Sequence, residues 1–217
     1  MPPLPPPLPP EERTVGQLVA ESMRLYGRRF LPSLALGIGP AALNALVRVV
    51  DEATLVVVPT VGGVVLSACF VAACYIAGTE RPGNPWAAFG AGALVFVPFP
   101  FLAAVFVLPG LVWLALVGLV VPTLVYERIG FRDAFVRATR LGRADFVHAL
   151  GSLATLAIVV FLTQSVLFFL LRGTGEQTQD IASFLASLVV SPLLFLGAAL
   201  LYFDQAAREN AKRVPRR

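Results

Sequence analysis

The chain has 217 residues, of which 57% are hydrophobic and only 14% charged, and its formal net charge is +4. A soluble domain averages about 25% charged residues, and this composition lacks the polar surface to cover a core, so lipid is the expected outer solvent. The cations flank apolar runs and form no basic stretch interleaved with aromatics, which argues against nucleic acid and for anionic lipid headgroups as partner.

Taken in order, residues 1–12 open with MPPLPPPLPP, expected to be a disordered polyproline II tail. It has neither the basic start nor the continuous apolar stretch of a secretory signal peptide. Residues 14–29 read as an amphipathic interfacial helix, its apolar face set in the acyl boundary. Val15, Leu18, Val19, Ser22, Leu25 and Tyr26 share one face; Gln17, Glu21, Arg24 and Arg28 take the other. Thr14 and Gln17 have the spacing of a capping box. A spanning helix needs about 20 apolar residues. Residues 31–50 supply the first, with a kink expected at Pro40 and Arg48 at the far end; residues 54–78 supply the second. Cys69 and Cys74 fall in that second span on different faces and are expected to be unbridged thiols.

Residues 92–126 form one apolar run too long for a single crossing. Pro109-Gly110 is a turn signal near its middle, so the run is split into spans 92–108 and 110–126. A re-entrant hairpin and one long kinked helix are the alternatives. Residues 131–143 read as a second interfacial helix. Phe131, Ala134, Phe135, Ala138 and Leu141 face one way, while Arg132, Asp133, Arg137, Arg140 and Arg143 face elsewhere. Spans five and six cover 147–171 and 180–203, and 211–217 form a basic tail. The fold expected is an all-α polytopic transmembrane bundle: six spans in one membrane domain, 13–210, plus two interfacial helices.

With six spans, fifteen of the seventeen Lys and Arg residues lie on one side; only Arg48 and Arg172 lie on the other. The positive-inside rule then places both termini in the cytoplasm. Arg-rich, Lys-poor usage fits a bacterial source and hence an inner membrane. Arg24-Leu25 with Phe30 recurs 116 residues later as Arg140-Leu141 with Phe146. The recurrence predicts two similar units, each an interfacial helix followed by a hairpin, an arrangement found in transporters and elsewhere.

Few residues carry chemistry. His148 is the single histidine, and no second His, Cys or paired carboxylate has ligand spacing with it. No nucleophile elbow, phosphate loop or zinc pattern occurs. No enzyme activity, metal or cofactor is expected. The candidate contacts for lipid headgroups or a partner are Arg24, Arg28, Arg29, Arg132, Arg137, Arg140 and Arg143. Asn44 and Gln164 are the most polar groups inside spans, and they are either substrate ligands in a cavity or interhelical hydrogen bonds. Ser183, Ser187 and Ser191 form a small-residue stripe on the sixth span, and Gly37, Ala41 and Ala45 another on the first. Such stripes let helices approach closely, within the chain or across a homo-oligomer. Glu127 is given a structural role: pairing with Arg128 or Arg132, or holding the second interfacial helix to the bundle.

The stretch 109–151, PGLVWLALVGLVVPTLVYERIGFRDAFVRATRLGRADFVHALG, resembles the membrane domain associated with bacterial glycerophosphoryl diester phosphodiesterases and its stand-alone relatives. Pro109-Gly110 opens a span that closes on Pro122 and Glu127, followed by the helix from Ala134 to Phe146 with Arg137 and Leu141. The opening helix (TVGQLVAESMRLYGRRF) and the ending with Tyr202, Asp204 and Arg208 resemble the same family. The resemblance implies a six-helix membrane module; the phosphodiesterase chemistry of that family belongs to a separate soluble domain. Three functions are therefore carried forward. The leading one is a non-enzymatic inner-membrane protein binding lipid or a membrane or cytoplasmic partner. The others are a small permease and a membrane anchor for a soluble enzyme.

Overall fold

The computed structural model describes residues 9–49, 57–78 and 83–213. Pro2–Leu8 of the proline-rich tail, the 79–82 loop with Arg81, and Arg216 and Arg217 of the basic tail lie outside them. Eleven helices and no strand occur among the described residues. They are α1 (Val15–Arg28), α2 (Phe30–Ala35), α3 (Ile38–Val49), α4 (Val57–Ala77), α5 (Pro85–Phe96), α6 (Pro98–Val105), α7 (Val107–Val117), α8 (Val120–Tyr126), α9 (Phe131–Ala144), α10 (Phe146–Leu170) and α11 (Glu176–Arg213). Six segments are long and apolar enough to cross a membrane: Phe30–Val47, Val57–Ala77, Pro85–Ala103, Val107–Tyr126, Phe146–Leu171 and Glu176–Lys212. The protein is an all-α helical bundle of membrane type. Large side chains such as Val147, Phe161 and Phe169 are more than two-thirds exposed on its outside, as lipid-facing groups should be.

Helix breaks fall where backbone chemistry puts them. The first span bends at Leu36-Gly37 rather than at Pro40. A Cβ on Gly37 would stand 1.9 Å from the Leu188 carbonyl oxygen, so α11 crosses against bare backbone there. Pro40 sits in the first turn of α3, where its missing N–H costs nothing. The third span starts at Pro85, seven residues before the apolar run begins. Asn84 Oδ1 accepts from Trp86 N at 3.0 Å, and Pro85 occupies the first helical position, a strong N-terminal signal. The turn between spans three and four lies at Phe106, which is extended, not at Pro109-Gly110. Pro109 is accommodated in the first turn of α7. A Cβ on Gly110 would touch Phe99 at 3.0 Å and Ala103 at 3.2 Å, so Gly110 serves close packing of α7 on α6. Pro122 is buried in the first turn of α8, just after the Gly118-Leu119 break. Helix α11 runs unbroken through Pro192 and on to Arg213, so Ala211, Lys212 and Arg213 are helical.

The repeat persists in the backbone. Both ends of α9 and the start of α10 lie 116 residues after those of α1 and α2. Arg29 and Asp145 are the single residues that break each pair, with similar dihedrals of φ −123°, ψ 51° and φ −144°, ψ 82°. The two amphipathic helices bury their apolar faces on protein rather than in acyl chains. Leu18 and Ser22 of α1 are fully buried, as are Ala134, Ala138 and Leu141 of α9. The α1 helix packs on α10 and α11, and α9 on α7, α8 and α11.

Gly142 shows how closely α9 is seated: a Cβ there would stand 2.4 Å from the Ala115 carbonyl oxygen. Gly142→Ala should therefore lower stability by about 1–3 kcal/mol, the usual cost of overpacking. Gly90→Ala, with nothing within 4 Å of the added methyl, should be neutral or slightly stabilising. Thermal unfolding of both variants in the same detergent checks the pair.

Candidate functional site

The charged residues gather at one end of the bundle, where α1 begins, α9 meets α10, and α11 ends. The chain enters α1 through the capping box: Gln17 N donates to Thr14 Oγ1 at 3.4 Å and Thr14 N to Gln17 Oε1 at 2.8 Å. The cap sets Arg13 just outside the helix, where its Nη1 donates to Asp204 Oδ1 at 2.7 Å. The Asp204 side chain is fully buried. Its other oxygen faces His148 Nε2 at 3.5 Å. Arg208, one turn along α11, donates to Asp145 Oδ2 and to the Arg13 carbonyl, both at 2.6 Å. Asp145 Oδ1 accepts from His148 N at 3.1 Å and so caps α10. Gln205 clasps the same junction: Oε1 accepts from Asp145 N and Nε2 donates to Asp145 O, each at 3.1 Å. Lys212 Nζ donates to the Ala144 carbonyl.

A second cluster adjoins the first. Arg137 Nε lies 3.0 Å from both oxygens of Glu127, and Nη1 donates to Glu209. Tyr202 OH donates to Glu127 Oε1 at 2.8 Å. Its ring stacks against Tyr126 at 5.1 Å. Burial alone would lower the Arg137 guanidinium, but the carboxylates of Glu127 and Glu209 outweigh it and raise it. Arg137 therefore stays cationic under any physiological condition. Glu127 joins α9 to the bundle through Arg137 of α9 and Tyr202 of α11.

Arg137 is thus placed differently from its neighbours. It follows Ala134 by three residues and precedes Leu141 by four, so it shares their buried face. Arg132, Arg140 and Arg143 are exposed, as are Arg28 and Arg29. None of these five makes an ion pair among the described residues. Arg24 is also exposed and pairs with Glu21 at 3.2 Å. Arg13, Gln205 and Glu209 were not singled out from the sequence. Asp204, Arg208 and Lys212 recur at i, i+4, i+8 along α11, and Gln205 and Glu209 are likewise four residues apart. This is a local signal that these polar residues line faces of one helix, but their partners lie across the chain.

A third polar group lies inside the spans. Asn44 Nδ2 donates to Ser183 Oγ and Ser187 Oγ, both at 2.9 Å, and Gln164 Nε2 donates to Ser187 Oγ at 3.1 Å. Asn44 and Gln164 therefore meet on one serine of the α11 stripe. Ser191 is half-buried one turn further on. Helices α3 and α11 pack on each other within the chain, with Asn44 on Ser183 and Ser187 and Gly37 against the Leu188 carbonyl; of the first-span stripe, Ala41 is buried and Ala45 exposed. A small cavity of about 90 Å³ sits beside Gln164, Gln179 and Ser183. Among the described residues no three His, Cys, Asp or Glu side chains are grouped to hold a metal.

Arg137 gives the sharpest test of the charge clusters. Arg137→Met removes the guanidinium that bridges Glu127 and Glu209, which should cost about 3–5 kcal/mol. The exposed Arg140→Met should stay within about 0.5 kcal/mol of the unaltered protein. Unfolding in mixed micelles, followed by circular dichroism, measures both. No family model, no curated protein and no solved structure matches this chain, so the reading of the site rests on its own geometry.

Proposed function

We propose that the chain is a non-enzymatic, multi-pass protein of a bacterial cytoplasmic membrane whose basic end binds anionic lipid headgroups or a docking partner. The observation that carries this reading is the division of charge at that end. Glu127, Asp145, Asp204 and Glu209 turn inward onto Arg13, Arg137 and Arg208. Arg28, Arg29, Arg132, Arg140 and Arg143 remain at the surface. Glu11, Glu12 and Asp133 are exposed there too, but the outward charge is cationic in balance, and each such arginine beside an anionic leaflet is worth about 1 kcal/mol. The asymmetry of charge supports a cytoplasmic placement of this end by the positive-inside rule. The resemblance of residues 109–151 to a phosphodiesterase-associated membrane domain fits a lipid-related role of this kind.

Lipid retention tests the proposal. The protein is reconstituted in nanodiscs of mixed phosphatidylcholine and phosphatidylglycerol, then extracted, and its bound lipids are counted by native mass spectrometry. Joint Arg28→Gln, Arg29→Gln, Arg132→Gln, Arg140→Gln and Arg143→Gln substitution should reduce retained phosphatidylglycerol several-fold at unchanged helix content. Retention equal to that of the unaltered protein would falsify the lipid reading.

A second reading, a small permease, is favoured by one observation: Asn44 and Gln164 converge on Ser187 between α3, α10 and α11. On that reading water reaches the cluster. Ser187→Cys, in a chain whose Cys69 and Cys74 are replaced by Ala, should then react with a hydrophilic thiosulfonate in intact vesicles. An unreactive thiol leaves the cluster as helix packing.

A further inference from the structure

We propose that the apolar groove between α2, α4 and α5 is a seat for one acyl chain of an anionic phospholipid, whose headgroup rests on Arg28 and Arg29. The groove has a volume of about 850 Å³ and is walled by Pro32, Leu36, Tyr75, Trp86 and Phe89 over a floor that includes Ala68 and Ala72. That is the size of an ordinary small-molecule site. It is open because its floor is small: Ala68 and Ala72 are exposed residues one turn apart on α4, and Ala35 faces them from α2.

Its shape selects the occupant. At the membrane-interior end α3 closes on α4, since a Cβ on Gly39 would stand 2.6 Å from Cys69 Sγ. From there to Ile76 is about two helical turns, roughly 11 Å at 1.5 Å per residue. A crossing helix needs about 30 Å of wall, so a second transmembrane segment has no full-length seat here. A hydrocarbon chain entering from the surface does. At the open end the groove meets the α1–α2 junction. Arg28 and Arg29 are exposed there, one turn before the wall residue Pro32. Neither makes an ion pair among the described residues. Trp86, 79% exposed, stands at the same mouth, the position at which an indole ring favours the membrane interface. Apolar walls below a cationic rim match a lipid with acyl chains and an anionic head.

The inference rests on the lipid-binding reading but places the lipid at α1–α2 rather than on α9. Trp86 reports on it directly. The protein has two tryptophans; Trp113→Phe leaves Trp86 as the single emitter. Nanodiscs carry equal mole fractions of either acyl-brominated phosphatidylglycerol or acyl-brominated phosphatidylcholine. The expected result is at least twofold stronger quenching by the brominated phosphatidylglycerol. Arg28→Gln with Arg29→Gln should remove that preference, and Ala68→Phe with Ala72→Phe, which fills the groove, should remove it too. Circular dichroism confirms that each variant remains folded. Equal quenching by the two lipids in the otherwise unaltered chain overturns the proposal. So does a preference that survives both pairs of substitutions. If the preference instead disappears with Arg132→Gln, Arg140→Gln and Arg143→Gln, the lipid sits on α9: the groove is wrong and the broader lipid-binding reading stands. If no anionic lipid is retained by mass spectrometry, that reading fails as well.

Discussion

Asp204 is fully buried at the end of a membrane bundle, and a carboxylate removed from water persists only where cations and donors surround it. That requirement organises the basic end of the protein. Asp204 draws in Arg13, which tethers the entry to α1, and faces His148 at the start of α10. Arg208 then joins Asp145 to the Arg13 backbone. Neighbouring residues of α11 face different partners. Asp204, Arg208 and Lys212, spaced i, i+4, i+8, meet the α1 entry and the α9–α10 junction. Tyr202 and Glu209 meet the pair formed by Glu127 and Arg137. This is why α11 continues as helix well past its last apolar residues: only a continuous helix holds these side chains in register beyond the lipid.

The same constraint explains the economy of the rest. Between spans there is no hydrophobic force of the kind that drives a soluble core, because lipid is as apolar as leucine. Helices are held instead by close backbone approach and a few polar contacts. Gly37 lets α3 and α11 meet, and Asn44, Gln164 and Ser187 tie that contact to α10. Gly142 does the same for α9 on α7. The ionic clusters at one end determine which helices are neighbours, and the small residues determine how near they come.

Much of this was legible in one sequence. Span length and charge asymmetry follow from bilayer thickness and headgroup charge, so the six crossings and both amphipathic helices could be read directly. Helix starts were read less well where the signal was a cap rather than hydropathy: Asn84-Pro85 begins a helix within an apparent loop. Pro109-Gly110 carries a turn signal in sequence, but a proline in a first turn costs little and the chain turns at Phe106 instead. Arg137 was placed on the polar face by its charge, while its spacing from Ala134 and Leu141 put it on the buried one. The ion pairs themselves were not legible. Arg13 and Asp204 are far apart in the chain, and nothing local distinguishes Asp204 from any other carboxylate able to pair with Arg13.

The charge visible in the sequence understates the charge presented to the membrane. The net charge of +4 counts every acid and base equally. Folding removes Glu127, Asp145, Asp204 and Glu209 from that balance by pairing them with Arg13, Arg137 and Arg208 in partly or fully buried sites. Four acids are withdrawn against three arginines, and Arg28, Arg29, Arg132, Arg140 and Arg143 stay outside with no ion pair among the described residues, so the outward balance is more positive than the composition alone implies. The two populations also differ in how they feel their surroundings. Buried pairs are little screened by salt, whereas exposed charges are screened within about 8–10 Å at physiological ionic strength. Ionic strength therefore acts on Arg28, Arg29, Arg132, Arg140 and Arg143 while leaving the clusters around Asp204 and Arg137 in place. The scaffold is insulated from the screening that its surface charges feel.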